Sequence, residues 1–374
     1  MTKKATKKAP TKPKRATAKR TPTVAKKPLL HDIRGLIESA RQHVAQTANA
    51  TLTMLYWHVG ERIGREVLKD RRAEYGERIV VSLSRQLVQE YGKGFGVSAL
   101  TRMVKFSEAF PDQRIVATLS QQLTWSHFVE ILPLKQPLER EFYAEMCRIE
   151  RWSVRTLRER IGSQMYLRTA IAKKPENVVK AELGQLREDG RMTPDLVFRD
   201  PYMLDFLGLP QDHSERDLEL AILREMERML LELGTGFAFV ARQKRIPVDD
   251  EDFHLDLLFY HRHLKRLVAV DLKLEKFKPS HKGQMELYLN WLDRHERAAG
   301  EEAPIGLILC ASAGAEQVEL LDLNASNIRV AEYRAHIPDT KLLQKQLHRA
   351  VLLARKSAEQ RKRKYRSGEI SFGS

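Results

Sequence analysis

Along residues 29–171 apolar side chains recur three and four apart, the spacing of a helix with one buried face. Ile33, Ile37, Ala40 and Val44 open a stripe of helical spacing within 29–68, and Gly60 and Gly64 farther along it predict a close packing contact. Two further helices are predicted over 79–91 and 98–110, joined by Gly92-Lys93-Gly94-Phe95-Gly96, with Ser98 capping the second. Helix, glycine-containing turn, helix is the pattern of a helix-turn-helix, and it is equally that of an ordinary helical hairpin. On the second of these helices Arg102 and Lys105 share an exposed face while Leu100, Met103 and Val104 point inward, which makes the two cations candidate nucleic-acid contacts. Helices over 120–132, 137–149 and 153–165 come next, the last capped by Ser153. His127, in Trp125-Ser126-His127, reads as a packing residue rather than a catalyst.

Residues 172–200 lose the periodicity and read as a linker, or as a tract lying against either domain; beyond Pro201 the rhythm changes. Ser214 caps a helix to about residue 233, Asp217 completes a capping box, and Gly234 and Gly236 end it. Strands are predicted over 236–246, 254–260 and 267–273, then a helix over 280–293, strands over 305–310 and 328–333, and a closing helix over 340–354. Helix, three strands, helix, two strands is an α/β sandwich preceded by an all-α region. The expected division is a basic tail (1–28), a helical domain (29–171), a linker (172–200), an α/β domain (201–350) and a second basic tail (351–374).

Composition narrows the class. With 42% apolar residues in 374, wholesale disorder is excluded. No apolar run approaches the ~18 residues of a membrane span. No apolar segment follows the N-terminal charges, so a secretory signal is not expected. Cys147 and Cys310 are too few for a disulfide framework or a cysteine zinc site, which suits a reducing cytoplasm. The net charge is +16, of which residues 1–28 carry +11 from nine lysines and two arginines with no acid, leaving +5 for the rest. Such a tail suits a polyanion, nucleic acid or an anionic membrane surface, and could also act only as a solubiliser. Arg361-Lys362-Arg363-Lys364, with Arg366, forms a second basic run.

The most informative stretch is 255–273. Centring its turn between His263 and Leu264 sets Asp256 directly opposite Asp271, with Cβ atoms roughly 4.5–5.5 Å apart. Like charges so placed repel unless something positive joins them. Lys273, two residues beyond Asp271, shares its face. Two carboxylates within reach of one ion, with oxygen ligands only, suit Mg²⁺ or Mn²⁺. The nearby lysine could orient or deprotonate a water and offset charge on a phosphate. The alternative is a structural Lys273–Asp271 ion pair, which leaves Asp256 unexplained. Glu219, beside the stripe Ile222, Leu223, Met226 and Leu230, is a candidate third carboxylate or a helix-dipole partner. Gln284 and Tyr288, four apart, share a helix face, and Lys276, Lys278, His281 and Lys282 lie where a phosphate backbone could be held.

An acid on a helix, then an Asp, then Asp-x-Lys across a hairpin resembles the PD-(D/E)XK nuclease superfamily, and Gln284-x-x-x-Tyr288 resembles the Q-x-x-x-Y motif of its RecB-like branch. Over residues 29–345, through 123–127, 234–243, 255–277, 283–289 and 305–310, the chain is similar to the bacterial YhcG-like nucleases, which join a helical N-terminal domain to a PD-(D/E)XK domain. The resemblance implies a restriction-endonuclease-like core and Mg²⁺-dependent hydrolysis of DNA. Asp256 and Asp271 would be metal ligands, Lys273 the catalytic lysine, Glu219 the helical acid, Gln284 and Tyr288 supporting groups, and Gln243 a weaker candidate. Leu255 replaces the signature proline, and Asp271 stands where Glu is frequent. An idle nuclease fold that only binds DNA, and an RNA substrate, are the competing expectations. A homodimer is expected if both strands are cut.

Overall fold

The computed structural model describes residues 26–69, 73–210, 212–314, 326–335 and 340–366, with isolated positions between 315 and 325. Most of the N-terminal basic tail, residues 1–25, lies outside the described residues, as do 367–374. The chain divides into two units, residues 1–48 and 49–374. The described part of the first is helical, and its side chains from 31 to 48 are exposed, including Ile33, Leu36, Ile37 and Val44.

The second unit begins within helix α1 (Lys26–Lys69), whose Trp57 and Ile63 are buried there. Helices α2 (Ala73–Tyr91) and α3 (Val97–Ala109) flank one 3-10 turn, Lys93–Phe95, entered through Gly92 at a φ of 88° that favours glycine. Gly96, not Ser98, is the N-cap of α3; Ser98 lies in its first turn. The close contact expected at Gly60 is with α3: a Cβ there would sit 1.8 Å from the Met103 carbonyl oxygen.

Helix α4 (Gln113–Ser120) starts at Asp112, whose carboxylate accepts the Arg114 N–H. The helix expected over 120–132 is shorter, because Thr124 restarts the chain as the cap of α5 (Trp125–Ile131). His127 closes that capping box through Nδ1, and its Nε2–H donates to the Trp152 carbonyl at 3.0 Å, so it is a satisfied, buried packing residue. Helices α6 (Pro137–Glu150), α7 (Val154–Gly162) and α8 (Met165–Arg168) complete this region, and Ser153 caps α7 as expected, accepting from Thr156 N–H at 3.1 Å.

Residues 172–200 are not a linker. They fold into α9 (Glu176–Asp189) and α10 (Pro194–Val197) and bury Val179, Leu183, Leu186, Leu196 and Phe198. Fully buried Glu145 of α6 pairs with Arg187 of α9 at 2.7 Å and with Arg148 at 2.8 Å. Arg148 also donates to the Leu186 carbonyl at 2.7 Å. The tract looks polar because three buried apolar residues on α9 are diluted among charged side chains.

Then come β1 (Tyr202–Met203), α11 (Glu215–Arg224), α12 (Met226–Leu233), β2 (Phe237–Val248), β3 (Glu251–His261), β4 (Arg266–Lys276), α13 (Pro279–His295), β5 (Ile305–Ser312), β6 (Ile328–Arg334) and α14 (Thr340–Arg366). The predicted helix over 214–233 is interrupted at Glu225; its start is as expected, Ser214 and Asp217 forming a capping box. The six strands form one sheet in the order β1-β6-β5-β4-β3-β2, antiparallel from β2 to β4 and parallel from β4 to β1. One face, with Leu257, Phe259, Val268, Val270 and Leu272, joins a core that also holds residues from α1, α3–α12 and α14. The other, with Leu258, Leu267, Ala269 and Ile308, packs against Met285, Tyr288, Leu289 and Leu292 of α13. The segment 351–366, expected within the C-terminal tail, continues α14; Val351 is buried and Arg355 donates to the Ala172 carbonyl at 3.0 Å. Among the described residues no helix is long and apolar enough to cross a membrane.

Candidate active site

The hairpin has the register that its sequence predicts. Leu257 pairs with Val270, Leu258 with Ala269 and His261 with Arg266, so the next positions outward are Asp256 and Asp271. There the ladder opens. The Leu272 N–H donates to Asp256 Oδ2 at 2.8 Å, and the Leu274 N–H donates to Glu215 Oε1 at 3.1 Å. Two amides of β4 beyond the ladder are therefore satisfied by side-chain carboxylates.

Gln243 of β2 holds the other side of this group. Its Nε2 donates to Asp256 Oδ1 and to Glu219 Oε2, each at 3.0 Å, tying β2, β3 and α11 together. A register shift between Phe239 and Ala241, and a left-handed φ of 43° at Gln243, give this strand an irregular course. A non-glycine residue in that region costs about 1–3 kcal/mol and persists where surrounding contacts enforce it. Glu215, Arg216, Glu219, Leu220, Arg242, Gln243 and Asp256 line an open cleft of about 530 Å³.

Asp271 is only 2% exposed, and Lys273 Nζ lies 3.0 Å from its Oδ2. That ion pair is off the line of a hydrogen bond, so a buried carboxylate oxygen is left without a well-aligned donor. Burial, with the Asp256 charge adding to it and Lys273 opposing it, pushes the Asp271 carboxyl up to about 6. Burial alone would lower the Lys273 ammonium, but Asp271, helped by Asp256 and Glu215, outweighs it and holds the group above its ordinary value. Lys273 is therefore a cation here.

An under-coordinated buried oxygen beside a second carboxylate fits a hard divalent ion, which takes oxygen ligands and often only one or two carboxylates. Asp256 and Asp271 are the residues that would hold it. Among the described residues no three His, Cys, Asp or Glu side chains gather closely enough to share an ion. Glu219, expected as a third ligand, is instead linked to Asp256 through Gln243.

On α13, Gln284 Nε2 donates to Tyr288 Oη at 2.6 Å, and that hydroxyl donates to the His254 carbonyl at 3.1 Å, pinning the helix to β3 just before Asp256. Burial raises the Tyr288 phenol, and the Asp271 charge adds to this. Lys278 is paired with Glu275, which also accepts from His281 at 3.1 Å, and Lys282 faces Glu286 at 3.4 Å. Lys276 is exposed at the end of β4. Arg102 and Lys105 are exposed on α3 above buried Leu100 and Met103, with Val104 half-buried. Glu215 is not singled out by its sequence pattern; the available signal is its position four residues before Glu219, on the same helical face.

A mixed sheet whose antiparallel hairpin brings two acids and a lysine together, flanked by a helical acid and a Gln-x-x-x-Tyr helix, defines a nuclease of the PD-(D/E)XK class. Residues 195–348 match the YhcG PDDEXK nuclease domain, and residues 32–168 match the DUF1016 N-terminal domain. The chain is 34% identical over 352 residues, 86% of its own length and 93% of the other's, to the Escherichia coli (strain K12) protein named "Putative nuclease YhcG". It belongs to the YhcG family of nucleases. A repair endonuclease from Pyrococcus abyssi is a looser match, with 22% identity and a TM-score of 0.24 over 34% of this chain and 50% of that one.

Proposed function

We propose that the protein is a Mg²⁺- or Mn²⁺-dependent endonuclease that hydrolyses DNA phosphodiester bonds. The observation that carries this reading is Asp256 opposed to Asp271, with Lys273 on the buried oxygen of the latter. A divalent ion held by the two aspartates would supply a polarised phosphate oxygen and an activated water. Gln243 and the Leu272 amide fix both oxygens of Asp256. Lys273, already cationic, offsets charge as it grows on the phosphate and orients the attacking water. Gln284 and Tyr288 hold the start of the acid-bearing strand. Arg102 and Lys105, exposed on α3, are proposed to contact the DNA backbone away from the cut. With one such site among the described residues of the chain, cutting both strands calls for two copies.

Plasmid nicking with Mg²⁺, with Mn²⁺ and with EDTA tests the proposal. Wild type is expected to nick only with metal. Asp256→Asn is expected to lose both nicking and the metal-induced rise in melting temperature while still binding DNA. Lys273→Ala is expected to keep the rise but lose roughly two orders of magnitude or more in rate. Full nicking by Asp256→Asn would overturn the assignment.

A further inference from the structure

The cleft that holds Asp256 carries more negative than positive charge at its acids: Glu215, Glu219 and Asp256 line it, and Asp271 lies beside it with Lys273 as counter-charge. A polyanionic substrate entering there needs cations beyond the ion at the aspartates. The lysines at and after the end of β4 are poorly placed to supply them: none of Lys276, Lys278 and Lys282 lines the cleft, and the last two already face Glu275 and Glu286. Two other groups line the same cleft. Arg216, in the first turn of α11, and Arg242, next to Gln243 on β2, are both exposed, and neither forms an ion pair among the described residues. A free guanidinium presents a planar fork of N–H donors that matches two phosphate oxygens at once.

We infer that Arg216 and Arg242 are the positioning residues that hold the substrate's phosphodiester backbone in the cleft, so that the strand to be cut runs along α11 and β2 rather than along α13. This rests on the nuclease reading above. The two arginines come from different elements that line one cleft, and each would make a phosphate contact of its own. They touch backbone and not the reacting atoms, and they act on binding rather than on the chemical step.

Two measurements decide it. Binding of a labelled DNA duplex to Asp256→Asn protein in EDTA, across a salt series, is compared with the same protein carrying Arg216→Ala and Arg242→Ala. Loss of two phosphate contacts is expected to flatten the slope of log K against log salt by about 2. Arg216→Lys with Arg242→Lys, which keeps the charges, is expected to hold the slope near the starting value. Nicking kinetics in the otherwise wild-type protein are expected to show KM raised about tenfold by the two alanines with kcat within about twofold. An unchanged slope, a slope lost equally in the lysine variant, or a fall in kcat at constant KM overturns the inference. If wild-type protein nicks nothing with either ion, the nuclease reading falls, and the binding series alone still decides whether the arginines hold a phosphate backbone.

Discussion

Asp271 is where the demands of folding and of the proposed chemistry conflict. Its carboxyl is pushed up to about 6 from an ordinary 3.8, by burial first. The folded protein therefore holds this proton at pH values where the unfolded chain has released it. Stability is present below about pH 4 and withdrawn as pH rises to about 6, by roughly 3 kcal/mol over that window. Thermal melts in EDTA are expected to show this decline in wild type and a flatter profile in Asp271→Asn; a wild-type melting temperature that is level from pH 4 to 6 would contradict it. If the aspartates hold magnesium as proposed, it is expected to stabilise more above pH 6 than below, because it would compete with the proton for the same oxygens. The two aspartates were legible in the sequence because a hairpin's turn fixes which residues face each other. Glu215 and Gln243 were not fully legible, since their roles are contacts with Leu274 N–H and with two acids on other elements, which no local spacing encodes.

Among the elements, the seating of α3 depends on how closely α1 approaches it. At Gly60 an added methyl would meet the Met103 carbonyl carbon and oxygen, at 2.3 and 1.8 Å, and backbone cannot move aside as a side chain can. Gly60→Ala is expected to destabilise by about 1–3 kcal/mol or more, as overpacking does. Gly64→Ala would meet only Val104 Cγ1 at 3.9 Å, and is expected to be neutral or to gain up to about 1 kcal/mol in helix propensity. Chemical denaturation of the two variants separates them, and equal losses would show that Gly60 is not a packing contact. The glycine pair was visible in the sequence, but which member mattered was not, because both sit on one face a turn apart. The strands were legible for a related reason. β3 and β4 are buried on both faces along the hairpin and show as apolar runs, whereas α9 exposes a charged face and buries only a narrow stripe.

At the scale of the whole molecule, the helical region and the sheet share one apolar core and one buried ion cluster. Glu232 at the end of α12 accepts from Arg168 of α8, from the Met203 N–H at 2.9 Å and, at 3.5 Å, from Arg199. Arg168 is fully buried and also donates to the Pro201 carbonyl at 3.1 Å. Removing the carboxylate charge would leave two buried guanidinium groups without their counter-ion. Glu232→Gln is therefore expected to cost roughly 3–5 kcal/mol. Calorimetry is expected to show one transition at a lower temperature; two separate transitions would mean that the halves melt independently.

That shared core also bears on where a cut would fall. A reader domain on a flexible tether pivots, and the distance from its foothold to the scissile bond spreads over several nucleotides. Here α3, with Arg102 and Lys105, and β4, with Asp271, are built into the same packed interior through Phe106 and Val270. If α3 grips a duplex as proposed, the acids would stand at one fixed offset from that foothold, like the jaws of a caliper whose span is set by the fold.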